Sequence, residues 1–438
     1  MKHISKRAKK ATAAPMRMDM EISLDAQQNQ YDAQSNPDGT FPLNIAENRL
    51  QWPILKEKFK EICASKELPP WVMGYTSPLG DIHFRQSVAR FYERYFSKGP
   101  IDPDLMGMSP GATGIIEMTA FILCDKGDVC AMPTPAYPVY RKDLGNISGV
   151  KRYDIKTHKT IADLQKGLLL SVAHLEKAKK KIKKSGDKLR MVVLTTPDNP
   201  TGLSYNKVQL LAISHWCMDN KVHLVVNEIY ALSAIDTTHP TIQDDYTDRY
   251  VQPSFLDIMA VYKSDYLHHW YSVSKDFGIS GFRTGIVYSY NKSFIDAYEN
   301  LNLTHTISNH TQWLLGEMLD DHSFIDNYIA QNKRLLTKSY TTVVNTLKQL
   351  DIPYAPARGG LFNWIDLSKY LARQTKEAEE HFWLQLYQHT GVLLTPGDGF
   401  GHNRFGYFRL VFPYVTHNQL LIAMERMTLF LSREEFIS

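Results

Sequence analysis

The chain has 438 residues, of which 43% are hydrophobic and 22% charged, and its formal net charge is +4. These values suit a folded protein of two or three domains, at roughly 150 residues each, with cores large enough to need no disulfide or metal staple. No basic stripe interleaved with aromatics is present, which argues against a nucleic-acid partner, and no apolar run of about 18 residues is present to cross a membrane.

The four cysteines, Cys63, Cys124, Cys130 and Cys217, form neither a CxxC pair nor a Cys/His metal spacing. Free thiols in a reducing, cytoplasmic setting and no metal site are therefore expected. The N-terminal segment MKHISKRAKKATAAPMRM is basic but lacks the apolar stretch of a secretory signal. It is only weakly like an organelle-targeting peptide and reads as a basic tail. Residues 1–40 are polar and read as an N-terminal arm, partly disordered.

From Phe84 to Phe96 the apolar residues Phe84, Val88, Ala89, Phe91, Tyr92 and Tyr95 fall at helical spacing. After the Pro- and Gly-containing stretch SKGPIDPDL, a pattern of short apolar run, turn and helical segment recurs. GATGIIEMTAFILC reads as a turn and a buried helix, DVCAMPTPAYP and MVVLTTPDNPTG as strands running out into loops. The lysine-rich LEKAKKKIKKSGDK reads as an exposed helix with a solvated basic face. VQLLAISHWCMDN is a predicted helix, VHLVVNEIY a strand, and YLHHWYSVSKDFG another strand-to-loop exit. The strands are apolar on both faces, as in a parallel sheet covered by helices, and such sheets place ligands at the carboxyl ends of their strands. The last third runs helix, GGLFNWIDL, helix, GYFRLVF and a final amphipathic helix, which reads as a smaller α+β unit.

The central motif is Ser272-Val273-Ser274-Lys275, followed by Asp276-Phe277-Gly278 and Gly281-Phe282-Arg283. A lysine at the end of a buried strand is desolvated, which favours the neutral amine and makes it a Schiff-base nucleophile. A phosphate beside it needs hydroxyls and a bidentate cation, which Ser272, Ser274 and Arg283 can supply.

With this motif the chain resembles the fold-type I pyridoxal-phosphate enzymes of the class I/II aminotransferase family, and within them the 1-aminocyclopropane-1-carboxylate (ACC) synthase-like proteins. The likeness runs from about Leu43 to Phe412 through LNIAENRL, GYTSPLGDIHFR, SPGATGIIE, MPTPAYP, TTPDNPTG, NEIYAL, SVSKDFGISGFRTG, LTPGDGFG and GYFRLVF, in family order. It implies an α/β fold: a large domain with a mostly parallel, seven-stranded type of sheet and a smaller, discontinuous α+β domain. The boundaries read from the sequence are 41–95 and 326–438 for the small domain and 96–325 for the large one.

The resemblance also implies roles. Lys275 forms the Schiff base and moves the Cα proton. Gly111, Ala112 and Thr113 cradle the phosphate at a helix N-terminus, and Tyr137 stacks on the pyridine ring. Position 136, often a second aromatic in the related pattern, is Ala136. Asn199 and Tyr230 hydrogen-bond the ring oxygen. Tyr75 reaches the phosphate of a neighbouring subunit, implying a homodimer with shared sites. Arg409 clamps the substrate α-carboxylate. Ala46 and Glu47, in AENRL, lie on the substrate side; in ACC synthases a glutamate in this motif contacts S-adenosylmethionine, which makes that molecule a candidate substrate here, while neighbouring Asn48 and Arg49 leave a structural loop role open for Glu47.

One position departs from the family pattern. Asn227 stands in VVNEIY where an aspartate normally pairs with the protonated pyridine nitrogen. A neutral amide favours that proton far less than a carboxylate does. A largely unprotonated ring, a less stabilised Cα carbanion and slow transamination follow, so elimination, replacement or cyclisation gains ground. Glu228 is a poor substitute, because the next residue on a strand points to the opposite face. Three functions stand: an aminotransferase, a lyase or cyclase of the ACC synthase type, and a non-catalytic relative that only binds the cofactor.

Overall fold

The computed structural model describes residues 3–12, 20–246, 252–402 and 404–433. The N-terminal residues 1, 2 and 13–19, on which much of the targeting question rests, lie outside the described residues.

Seven strands form the central sheet: β1 (Met106–Pro110), β2 (Val129–Thr134), β3 (Lys151–Lys156), β4 (Leu189–Thr195), β5 (His223–Asn227), β6 (Leu267–Ser272) and β7 (Thr284–Ser289). Their order is β1-β7-β6-β5-β4-β2-β3. β7 runs antiparallel to its neighbours β1 and β6, and every other pairing is parallel. β5, β6 and β7 are buried at every position. Helices on both faces cause this, and it is why the strands carry continuous apolar runs without alternation.

The covering helices follow from local signals. Lys207–Asp219 starts at a reciprocal cap, in which the Asn206 side chain accepts the Gln209 N–H and the Gln209 side chain accepts the Asn206 N–H. The lysine-rich helix Val172–Lys184 buries Leu175, Ala178 and Ile182 along one face, which leaves its lysines to water as expected.

The smaller sheet has the antiparallel order β8-β10-β9, from β8 (Phe362–Asp366), β9 (Thr395–Pro396) and β10 (Tyr407–Val411). Its core gathers Phe41 and Leu43 from the start of the chain with Val343, Phe408, Leu410 and Met427 from the end. Residues 41–95, grouped with the smaller unit on sequence grounds, divide between two cores. Phe41 and Leu43 join the small sheet, whereas Leu55, Ile62, Phe84 and Val88 pack with the large one. The 28-residue helix His322–Gln349 bridges the two, with Ile325 and Tyr328 in the large core and Leu336 onward in the small one.

Cys63 is exposed, Cys124, Cys130 and Cys217 are buried, and all four are free thiols. Among the described residues no helix is long and apolar enough to cross a membrane, and no cluster of His, Cys, Asp or Glu could hold a metal ion.

One buried acid stands out. Asp143, in the short helix Tyr140–Gly145, is 6% exposed, and one of its carboxyl oxygens has no hydrogen-bond partner among the described residues. Burial, and then the charge of Glu117, push its carboxyl up to about 7. An acid that holds its proton more tightly folded than unfolded costs stability as pH rises from its ordinary value towards the folded one. Asp143→Asn is therefore expected to stabilise the protein by about 1–2 kcal/mol at pH 8 and to be close to neutral at pH 4. Chemical denaturation at both pH values checks this; an equal effect at the two would sink it.

Candidate active site

A cavity of about 140 Å³ opens where β4, β5 and β6 end. The chain leaves each strand into a loop or short helix, and these exits carry Asn199, Tyr230, Ser274 and Lys275 to the cavity wall. Ala46, Ala112, Thr113, Tyr137, Asn227 and Arg283 complete the set of nominated residues that line it. The placement follows the rule for open α/β sheets.

One corner is built for an anion. β1 ends at Pro110, and Gly111, at φ +74°, starts the helix Gly111–Leu123. The first-turn N–H groups of such a helix have no partner within it. Arg283 lies beside them in the left-handed region, at φ 49°, unusual for a residue with a side chain. Its guanidinium donates to the Ser280 carbonyl at 3.0 Å and the Pro110 carbonyl at 3.4 Å. Space here is tight: a Cβ on Gly111 would collide with that guanidinium, and a Cβ on Gly285 with the Gly111 carbonyl. A backbone outlier of this kind persists only where its surroundings over-determine it.

Ser274 lines the cavity, but Ser272 does not. Ser272 is fully buried; its Oγ donates to the Thr284 carbonyl at 2.6 Å and accepts from the Ser274 N–H at 3.2 Å. It caps the helical turn that carries Lys275 and ties it to β7, and so supports the corner from behind. The Lys275 amine donates to the Ala46 carbonyl at 2.7 Å.

The floor is a hydrogen-bonded group at the ends of β4 and β5. Asn227 Nδ2 donates to the Tyr140 hydroxyl at 3.0 Å, and Asn227 Oδ1 accepts from the Ile229 N–H at 3.2 Å. The Tyr140 hydroxyl lies 3.0 Å from Thr195 Oγ1. Glu228 points away, as the strand geometry requires: it is buried behind the sheet, 3.0 Å from His269 Nε2 and within reach of the Phe255 N–H.

Along one edge, Asn199 Nδ2 reaches the Tyr230 hydroxyl at 3.4 Å and Asn199 Oδ1 accepts from Arg409 at 3.0 Å. Burial pushes the Tyr230 phenol up, and the Arg409 charge opposes that. Arg409 stands behind the wall rather than on it. It also donates to the Asn44 carbonyl at 2.7 Å and Thr395 Oγ1 at 3.3 Å, and lies 5.0 and 5.1 Å from the Phe362 and Phe400 ring centroids.

Two nominated residues lie elsewhere. Glu47 sits in a neighbouring open groove. Its carboxylate accepts two hydrogen bonds from Arg49, at 2.9 and 3.1 Å, and one from Ser280 Oγ at 2.8 Å. Arg49 in turn lies over the Tyr414 and Trp52 rings, at 3.7 and 4.6 Å. Tyr75 is fully exposed and outside the cavity. Tyr140, Thr195, Ile116, Ile229 and Ser280 line the cavity without having been singled out from the sequence. Two of them carried a signal: Tyr140 follows Tyr137 by three residues in the same loop exit and meets its ring edge-on at 5.3 Å, and Thr195 is the last residue of its strand.

The crowding at Gly111 yields a test. Gly111→Ala is expected to displace Arg283 and weaken binding of pyridoxal phosphate about tenfold or more, a cost of at least ~1.4 kcal/mol. Gly127→Ala, at another positive φ but in open space, should leave binding unchanged. Equilibrium titration followed by cofactor absorbance separates the two, and equal effects would remove the steric argument.

Residues 42–427 match the family model Aminotransferase class I and II. The Arabidopsis thaliana proteins 1-aminocyclopropane-1-carboxylate synthase 6 and 1-aminocyclopropane-1-carboxylate synthase 7 are each 30% identical to this chain over 93% of its length, and the matches cover 81% and 90% of those relatives. Among solved structures, a double mutant of Thermus thermophilus aspartate aminotransferase superposes with a TM-score of 0.77 at 18% identity, covering 98% of this chain and 99% of the other. The Thermotoga maritima aspartate aminotransferase does so at 0.75 and 20%, covering 98% and 100%. These likenesses establish the fold expected from the sequence, and with the family match they make the protein a pyridoxal-phosphate-dependent enzyme of the aminotransferase and ACC-synthase type. The chain belongs to the class I and II aminotransferase family.

Proposed function

We propose that this enzyme acts at Cα of an α-amino acid through Lys275, holds the substrate carboxylate on Arg409, and performs elimination, replacement or cyclisation in preference to amino-group transfer. One observation carries the reading. Lys275 donates to the carbonyl of Ala46 and Arg409 to the carbonyl of Asn44. An amine just past β6 and a guanidinium on β10 are thus both held against one short segment, residues 44–46.

The residues present fit the cofactor of the family. The helix start at Gly111–Thr113, with Ser274 and Arg283, would hold its phosphate. The Tyr137 ring would cover one face, and Asn199 and Tyr230 would hydrogen-bond its ring oxygen. Bound there, pyridoxal phosphate supplies the electron sink that makes the Cα–H of an attached amino acid acidic. The Lys275 amine, placed by the Ala46 carbonyl, takes and returns that proton. Arg409 orients the carboxylate and so fixes which Cα bond faces Lys275. Tyr75, exposed on one protomer, would complete the phosphate site of a second copy in a cytoplasmic homodimer.

The choice of chemistry rests on Asn227 and on the similarity to proteins named as ACC synthases. S-adenosylmethionine is accordingly the first substrate to try. Its sulfonium would have to share Glu47 with Arg49, which already neutralises that carboxylate. Amino-group transfer is the second reading, favoured by the family's name.

Products of cofactor-loaded enzyme with S-adenosylmethionine, and with a panel of amino acids plus a keto acid, decide between them by mass spectrometry. Methylthioadenosine release, or another eliminated or cyclised product, is expected. New amino acids made from the keto acid without such products would establish the transferase. Arg409→Lys is expected to raise KM at least tenfold with a smaller loss in kcat, because a lysine cannot reproduce the bidentate clamp. A change in kcat alone would contradict the carboxylate role. If S-adenosylmethionine is turned over, Glu47→Gln should raise KM for it and leave KM for uncharged amino acids unchanged.

A further inference from the structure

The geometry points to Asn227 as a hydrogen-bond donor, locked in that sense by Ile229 and Tyr140, that holds the cofactor's ring nitrogen in its unprotonated form. The inference rests on the cofactor reading above and adds the orientation of one amide. An asparagine can face a ligand with its oxygen or with its NH2, and its hydrogen-bond network decides which. Here the network is asymmetric. Asn227 Oδ1 receives the Ile229 N–H, a backbone donor that cannot reverse its polarity. A flipped amide would set two N–H donors against each other in a buried site. The NH2 therefore faces Tyr140 and the cavity. One of its protons goes to the Tyr140 hydroxyl, and the other is what Asn227 offers to the cavity it lines.

Tyr140 completes the lock. Burial pushes its phenol up to about 12, so the hydroxyl keeps its proton at any working pH. It accepts from Asn227 and lies 3.0 Å from Thr195 Oγ1, a hydroxyl that can take its proton or give it one. Tyr140 is a positioning residue here: it fixes the plane of the amide. Among the described residues no carboxylate lines the cavity in place of the missing acid. Glu228 is spent behind the sheet on His269 and the Phe255 N–H. Asp198 and Asp143 act on Tyr140 only through space, and Asp198 accepts from Thr201 instead.

The wanted partner of an N–H donor is a nitrogen lone pair, and a protonated ring nitrogen would meet a donor with a donor. In the pyridoxal ring the nitrogen lies para to the carbon bearing the aldehyde, so the group that would meet the nitrogen has to be a cavity residue other than Lys275, and Asn227 would be that residue. Asn227 and Lys275 both line the cavity, Asn227 from the end of β5 and Lys275 from the turn after β6. A neutral ring is a weaker electron sink, and the protein selects it through the sense of one amide.

The test is nitrogen NMR of the holoenzyme loaded with pyridoxal phosphate labelled at the ring nitrogen, from pH 6 to 9. An unprotonated-pyridine resonance that does not move with pH is expected. Asn227→Asp should move it to the pyridinium range. Tyr140→Phe, which removes one amide partner and keeps the Ile229 bond, should leave the nitrogen unprotonated but shift its resonance towards that of a pyridine lacking a hydrogen bond. A pyridinium resonance in the unsubstituted enzyme overturns the inference and leaves the cofactor reading intact, and needs no variant to fold. An unmoved resonance in Tyr140→Phe removes Tyr140 from it. Failure of the protein to take up cofactor at Lys275, seen by borohydride trapping and peptide mass, overturns both.

Discussion

Gly111 has no side chain because none fits. Its carbonyl lies against Gly285 on β7, and its α-carbon faces the guanidinium of Arg283. This contact requires β7 to run antiparallel between β1 and β6, so that the end of β1 and the start of β7 meet. From it follow the left-handed Arg283, the direction of the helix that begins at Gly111, and the placing of Ser274 and Lys275 opposite, since Ser272 ties their turn to Thr284 at the start of the same strand. One close backbone approach organises the anion corner and the lysine together.

The second constraint joins the two units. Asn44 and Ala46 each give a carbonyl to a cation, one from the small sheet and one from the large. The segment that does this is itself held: Asn44 Nδ2 donates to Ser23 Oγ on the helix Met20–Gln28. Ser23 of the polar N-terminal stretch is thus linked through Asn44 to Arg409 by two hydrogen bonds.

Much of this was legible in the sequence because the large sheet is buried on both faces. β4 and β5 write themselves as apolar runs ending in polar residues, and β6, though two histidines interrupt it, runs straight into the lysine motif, so the cavity falls where these strands end. β3 was not legible: as an edge strand reading KRYDIK it is partly exposed and carries charge where an inner strand carries valine. The division of 41–95 between two cores was hidden because helical periodicity shows that a face is buried, never against what. Ser272 and Glu47 show the same limit at the level of residues. Their types suit a phosphate and a cation; the carbonyl of Thr284 holds the first, from a position that spacing does not rank, and the guanidinium of Arg49, the neighbour that had left a loop role open, pairs with the second. Tyr140 escaped notice because a phenol at the start of a short, charged helix carries no mark of a site until its hydroxyl is traced to Asn227.

Asn199 carries a final consequence. Its nitrogen reaches the Tyr230 hydroxyl and its oxygen holds Arg409. A carboxylate arriving at Arg409 competes for the same guanidinium protons. As the arginine turns to the newcomer, the amide oxygen loses its charged partner, and the same side chain then meets Tyr230 with altered polarity. A substrate would in this way announce itself to the cofactor edge before any bond changes. With Arg409 as the carboxylate partner proposed above, an amine without a carboxylate would leave this pair undisturbed, and the amide would serve as a check on identity as well as a support.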